Sequence, residues 1–310
     1  MAETKRASRR ELFGWAMFDF ANSSYTTVII TVVFCIIFPR IIVGDGPEYR
    51  MGNFLWSASL SASYLIVLLS APLLGAIMDY AGSKKKFLFG SYLLTVIATA
   101  ALYFAGPGDI MTGMMLIILS NIGFSYSEAF VSSFLPGLGP PEDLGKISGY
   151  AWGLGYFGGL ISTAMVIFGL KASVYSADNF NNLRLVGPVT GLFFLIAAIP
   201  TFLWVEERTI PKSLPPYENY LTVGWNRLKK TFLDIQDYKD LIILLSSFFF
   251  AYAGLSIVIS FAFIYGDQII KWSGSTQILM FVITQFTAAA GAFLFGILQD
   301  KWKAKPTFIL

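Results

Sequence analysis

Gly75-Ala76-Ile77-Met78-Asp79-Tyr80-Ala81-Gly82-Ser83-Lys84-Lys85-Lys86 joins two long apolar runs, and Gly296-Ile297-Leu298-Gln299-Asp300-Lys301-Trp302-Lys303-Ala304-Lys305 follows another. Gly75, Asp79 and Lys84 recur as Gly296, Asp300 and Lys305 at a single offset of 221 residues, which Ala71 and Ala292 share. One tight joint rich in glycine and lysine would say little. Two copies at one offset, six apolar runs apart, argue for an internal duplication. A glycine at the end of a span lets helices approach closely. The aspartate can meet the positive end of a neighbouring helix or a basic loop residue. Gly75, Asp79, Gly82, Lys84 and Lys85, with Gly296, Asp300 and Lys305, are therefore candidate gating residues.

Outward from these joints, the chain is a string of apolar runs. A spanning helix needs about 20 mostly apolar residues. Eight such runs occur, near 13–39, 54–79, 86–105, 110–135, 147–170, 185–205, 240–265 and 275–299. Hydrophobic residues make up 55% and charged ones only 13%, roughly half the 25% usual in soluble domains. That balance requires lipid as solvent and predicts an all-α membrane protein. Seventeen of the 22 lysines and arginines fall on one side, in the N-terminal tail, Lys84 to Lys86, Lys146, the 206–239 segment and Lys301 to Lys305. Arg40, Arg50, Lys171, Arg184 and Lys271 fall on the other. This asymmetry predicts a cytoplasmic N-terminus. Ser8 to Phe13 has some likeness to a twin-arginine export signal, but the run behind it carries Asp19 and no cleavage site, so it reads as a basic flank.

The duplication divides the chain into a six-helix bundle at 1–205, a central loop at 206–239 and a partial second bundle at 240–310. Parallel six-span repeats are the architecture of major facilitator transporters. The first joint resembles that superfamily's signature between the second and third helices, with Ile77 in place of leucine and Ser83 in place of a basic residue. In the second copy Lys303 stands where the glycine of the signature falls. Trp15-Ala16-Met17-Phe18-Asp19-Phe20-Ala21-Asn22-Ser23-Ser24-Tyr25 resembles the opening of the vacuolar amino-acid effluxer (autophagy-related) family and its bacterial relatives. Asn121 to Ser125, Leu135-Pro136, Gly145 to Gly149 and Trp152 to Tyr156 are similar to the same family's fourth and fifth helices. The resemblance implies a major facilitator fold of two six-helix repeats and export of a small solute, with amino acids as one class. Only the start of a ninth apolar run, Pro306 to Leu310, is present. The expectation is thus an incomplete second half, from a fragment or a truncated product.

Charge inside a span is costly, about 2.5–3.5 kcal/mol on insertion scales, so it marks function. Two carboxylates lie well inside apolar runs. Asp19 heads a stripe with Asn22, Ser23 and Thr26, and Glu128 sits in a stripe with Asn121, Ser125 and Ser132, each on one helical face. At 1.5 Å per residue both lie about 10 Å from the same membrane face. Either could hold a proton or a solute ammonium; either could instead cap a helix or pair with a loop lysine. Trp152 and Tyr156, at i and i+4, could line a cavity or anchor at the interface. Gly149, Gly153, Gly155 and Gly159 have the spacing of close helix packing. Tyr252, Ser256 and Ser260 give the seventh run a weak polar edge.

Other functions lack their parts. There is no histidine and a single cysteine, Cys35, which removes the commonest general base and metal ligand. No Gly-x-Ser-x-Gly motif or phosphate loop is present. An intramembrane enzyme, or a relic that transports nothing, remains as the alternative reading. The net charge of +3 gives no footing for nucleic acid. The sequence predicts a secondary transporter with no cofactor and no metal, whose partners are a small solute, the lipid bilayer and protons as coupling ion. Its expected home is a bacterial inner membrane.

Overall fold

The computed structural model describes residues 6–46, 48–172, 175, 177–209, 211, 219–234 and 238–309. Every regular element among them is helical. Eight helices are long and apolar enough to cross a membrane: Arg9–Val43, Arg50–Ala81, Lys84–Phe104, Ile110–Gly137, Pro141–Gly169, Phe180–Trp204, Lys239–Ile270 and Gly274–Trp302. They match the eight apolar runs one for one, and are called the first to eighth spans below. A further short helix, Ala304–Ile309, opens the ninth. The face that carries the N-terminus is called the near face, and the opposite one the far face.

Local chemistry sets the ends. Ser8 caps the first span, its hydroxyl accepting from the Glu11 amide at 3.2 Å, and Ser273 caps the eighth by accepting from Thr276 at 3.2 Å. Gly44 and Gly82 end the first and second spans in the left-handed region, at φ +62° and +57°, where glycine carries no Cβ penalty. Position 303, equivalent to Gly82 under the 221-residue offset, keeps a positive φ of 70° although it is a lysine. Its ψ of 163° differs from the 40° of Gly82, so the two copies share the positive φ but not the left-handed helical conformation.

The first span is the most enclosed and the seventh the most open along its apolar stretch. An aromatic core of Phe18, Tyr92, Phe194 and Phe202 locks the first, third and sixth spans near the near face; Phe18 and Phe194 meet edge-on at 5.7 Å, and Tyr92 and Phe194 at 5.3 Å. The fifth span lies between the first and the eighth, and its glycines make this possible. A Cβ on Gly149 would sit 2.7 Å from the Ala292 carbonyl oxygen, and one on Gly155 would sit 2.9 Å from the Ser23 hydroxyl. Neither contact leaves room for a side chain.

Two features differ from the sequence expectation. The first and seventh helices run past their apolar stretches, so Arg40 and Asp267 are helical rather than loop residues. The central segment also holds a helix, Tyr220–Asp234, termed the loop helix. It packs across the near end of the second span, where the rings of Tyr80 and Tyr220 lie 6.4 Å apart.

Candidate functional site

The two stripes expected from sequence meet. Asn22 of the first span donates its side-chain N–H to a carboxylate oxygen of Glu128 in the fourth, and Asp19 lies within direct electrostatic reach of the same carboxylate. Asp19 and Glu128 are half-buried and Asn22 is buried. Among the described residues, no lysine or arginine is paired with either carboxylate. Two acidic groups thus lie near one another, one of them held by the Asn22 amide.

Just beyond Asn22, the first span loosens from i→i+4 to i→i+5 hydrogen bonding over Tyr25–Val32, and Val33 donates to Val28 at 3.1 Å. Such wide turns concentrate at functional sites because they re-aim side chains. Here Tyr25 turns inward. Its hydroxyl meets Ser120 at 2.9 Å and its ring stacks on Phe124 at 5.0 Å. Tyr64 of the second span lies against Asn121. Tyr252 of the seventh is close enough to feel the charge of Glu128, and stacks on Phe248 at 5.7 Å. Tyr64 is not singled out by the sequence, and Tyr25 only as part of the Trp15–Tyr25 stretch, because a tyrosine in an apolar run carries no charge and no periodic signature.

Not every stripe member joins the cluster. Asn121 is fully buried and donates to Ser63 at 2.7 Å, fastening the fourth span to the second. Ser125 is half-buried, and exposed Ser132 donates back to the Glu128 carbonyl at 2.7 Å. Trp152 and Tyr156, their rings 6.3 Å apart, instead line a cleft of about 350 Å³ between the fifth and eighth spans, with Gly149, Ala292, Gly296 and Gln299. Gln285 of the eighth span closes the inner part of that seam by donating to the Tyr156 carbonyl at 3.3 Å.

The gating candidates occupy the near face, and the two copies of the joint behave differently. Asp300 accepts from the amides of Gly145 and Lys146, each at 2.9 Å, so it caps the start of the fifth span from the eighth. Gly296 packs backbone to backbone against Gly145 and Gly149. Asp79, in contrast, reaches only Lys84 among the described residues, at 4.0 Å. Lys84 donates to the Ser133 carbonyl at 2.8 Å and Lys85 to the Phe202 carbonyl at 2.8 Å. Each cation therefore sits on the negative end of a helix, the fourth and the sixth respectively. Gly82 is crowded by the central segment; a Cβ there would lie 2.6 Å from the Pro211 nitrogen. Gly75 has open space around it, and Lys305 is exposed.

The far face has its own tie, which the sequence did not reveal. Arg40 pairs with Asp267 at 2.5 Å, between the rings of Tyr49 and Tyr175 at 5.4 and 5.8 Å. Beside it, Asn53 and Gln268 exchange amide hydrogen bonds of 2.6 and 3.2 Å. These contacts bind the first and second spans to the seventh.

Residues 54–310 match a family model described as "Vacuole effluxer Atg22 like". The "Uncharacterized MFS-type transporter YxiO" of Bacillus subtilis is 28% identical, over 97% of this chain and 70% of its own length. Autophagy-related protein 22-1 of Penicillium rubens is 24% identical, over 82% of this chain and 54% of its own length. Autophagy-related protein 22 of Coccidioides immitis is 22% identical, over 88% and 54%. The chain thus spans about half the length of these fungal relatives. The family model is described as an effluxer and the Bacillus protein as a transporter.

Proposed function

This chain belongs to the Atg22-like vacuole effluxer family, and from that premise we propose that it carries a small solute across the bilayer by alternating access, with Asp19, Asn22 and Glu128 as its central binding group. The observation that carries the reading is the meeting of Asn22 and Glu128 between the first and fourth spans, with Asp19 within electrostatic reach. Isolated carboxylates are expensive within a bilayer and persist where they bind something. An ammonium group, or a proton taken from bulk water, supplies the positive charge that the described protein residues do not. Amino acids, which carry an ammonium and hydrogen-bonding groups, are the first solute class to test, and protons are the proposed coupling ion.

Access from either side requires ties that open in alternation. The Arg40–Asp267 pair with its Asn53–Gln268 neighbour serves as the far-face gate. The Asp300 cap on the fifth span and the tight Gly296 crossing serve the near face. Both join the 1–205 bundle to the 240–310 spans, as relative motion of two repeats demands. The excess of basic residues on the near face supports a cytoplasmic N-terminus. Similarity to the Bacillus protein supports a bacterial cell membrane.

The test is counterflow in proteoliposomes containing the chain. Vesicles loaded with unlabelled amino acids should take up the radiolabelled forms faster than protein-free vesicles. The Asn22→Ala variant should lose most of that uptake while keeping its elution volume in detergent. Uptake by Asn22→Ala equal to that of the parent chain would remove the cluster from the transport path.

A further inference from the structure

The loop helix, Tyr220–Asp234, has three distinct sides. One packs on the near end of the second span: Val223 is buried, and a Cβ on Gly224 would lie 2.9 Å from Ile77 and 3.1 Å from Leu73. The Arg227 guanidinium rests 5.7 Å from the Tyr80 ring. The second side presents Leu221 and Trp225, at i and i+4, which are 62% and 61% exposed. The third presents exposed Thr222, Asn226, Lys229 and Lys230. Asp234, at the last position, is the single acidic residue of the helix.

In water, a leucine and a tryptophan side by side on one surface would be a poor arrangement. Here an apolar phase is adjacent. The contact at Leu73, Ile77 and Tyr80 falls in the last turns of a membrane span, and the exposed belt of Leu65, Leu68 and Leu69 lies further along the same helix. The apolar side of the loop helix therefore continues the lipid-facing surface to the level of the head groups. Tryptophan favours that level, and a helix with an apolar side and a basic polar side lies in the interface plane. Lys86, exposed at the start of the third span, adds positive charge on the same face.

We propose that the loop helix lies in the bilayer interface, with Leu221 and Trp225 among the upper acyl chains and Lys229 and Lys230 holding anionic phospholipid head groups. Because it rides on the second span and leads into the seventh, it would link lipid composition to the segment that joins the two sets of spans. This reading is independent of which solute is carried.

The experiment uses the whole chain in lipid nanodiscs. Cys35 is the single cysteine and is buried, so Cys35→Ser with Leu221→Cys gives one labelling site for a bimane fluorophore. Lipids carrying a nitroxide just below the head group should quench the label, and quenching should rise as phosphatidylglycerol replaces phosphatidylcholine. Adding Lys229→Gln and Lys230→Gln, both at exposed positions, should lower the ratio of interface-bound to water-exposed label by about fivefold per lysine in phosphatidylglycerol at low salt, and salt should weaken quenching in the parent chain. A label open to water in both lipids would leave this face to a protein partner and overturn the proposal. Quenching indifferent to phosphatidylglycerol and salt would overturn it equally.

Discussion

Replacing Asp300 with alanine should destabilise the chain, while the same change at its repeat partner Asp79 should do little. Asp300 accepts two backbone N–H groups at 2.9 Å from the first turn of the fifth span. A charged acceptor on a backbone donor contributes about 1.5–3 kcal/mol per bond when water is excluded. Asp300 is half-buried, so water replaces part of the loss, and the scale for removing a helix cap, about 0.5–2 kcal/mol, is the better guide. Adding the lost interaction with the helix dipole, about 0.3–1 kcal/mol, gives about 2 kcal/mol in all. An unfolding entropy of about 2.1 cal/mol/K per residue, over 310 residues, converts this to a Tm lower by about 3 °C. Asp79 is 56% exposed and pairs with Lys84 at 4.0 Å. A lone, screened pair of that kind is worth about 0–0.5 kcal/mol, or under about 1 °C here. Tryptophan fluorescence during heating in one detergent, at fixed protein concentration, compares the two variants directly. Equal shifts, or a larger one for Asp79→Ala, would refute the assignment of unlike partners to the two copies.

Other outcomes follow from single contacts. Lys303 holds φ +70° and ψ 163°, a region that costs a residue other than glycine about 1–3 kcal/mol, so Lys303→Gly should raise Tm in the same assay. Gly149→Ala would drive a Cβ to 2.7 Å from the Ala292 oxygen and should cost about 1–3 kcal/mol through overpacking, read as a lower Tm and a broadened elution peak. Arg40→Asp should slow counterflow by leaving two carboxylates on the far face where an ion pair stood. Combining it with Asp267→Arg should restore at least part of the rate; a double variant as slow as the single would deny the pair its gating role.

The spans were legible in the sequence because 20-residue apolar runs leave a soluble fold no means of covering them, and the placement of lysines divided them into alternating directions. Asp19, Asn22 and Glu128 were legible as well, since polar residues at helical spacing stand out against leucine and phenylalanine. What escaped was what depends on partners distant in sequence. Arg40 and Asp267 lie just past the runs at 13–39 and 240–265, and their pairing across 227 positions shows in neither. Asp79 and Asp300 read alike, yet what each touches is decided by the neighbour its helix packs on. Asn121 shares a helical face with Glu128, but Ser63 on the second span draws its amide away. The loop helix was hidden for a different reason: an amphipathic segment has too little mean hydropathy to register among true spans.

The central proposal is that the Asp19, Asn22 and Glu128 group binds what crosses, with Glu128 taking the proton of the proposed coupling. The most direct measurement is proton movement in proteoliposomes that trap a pH-sensitive dye, driven by an outward gradient of an amino acid shown to exchange in the counterflow assay. The parent chain should move protons as the gradient dissipates, and Glu128→Gln should exchange the amino acid without moving them. Proton movement in Glu128→Gln at the parental rate would contradict the account.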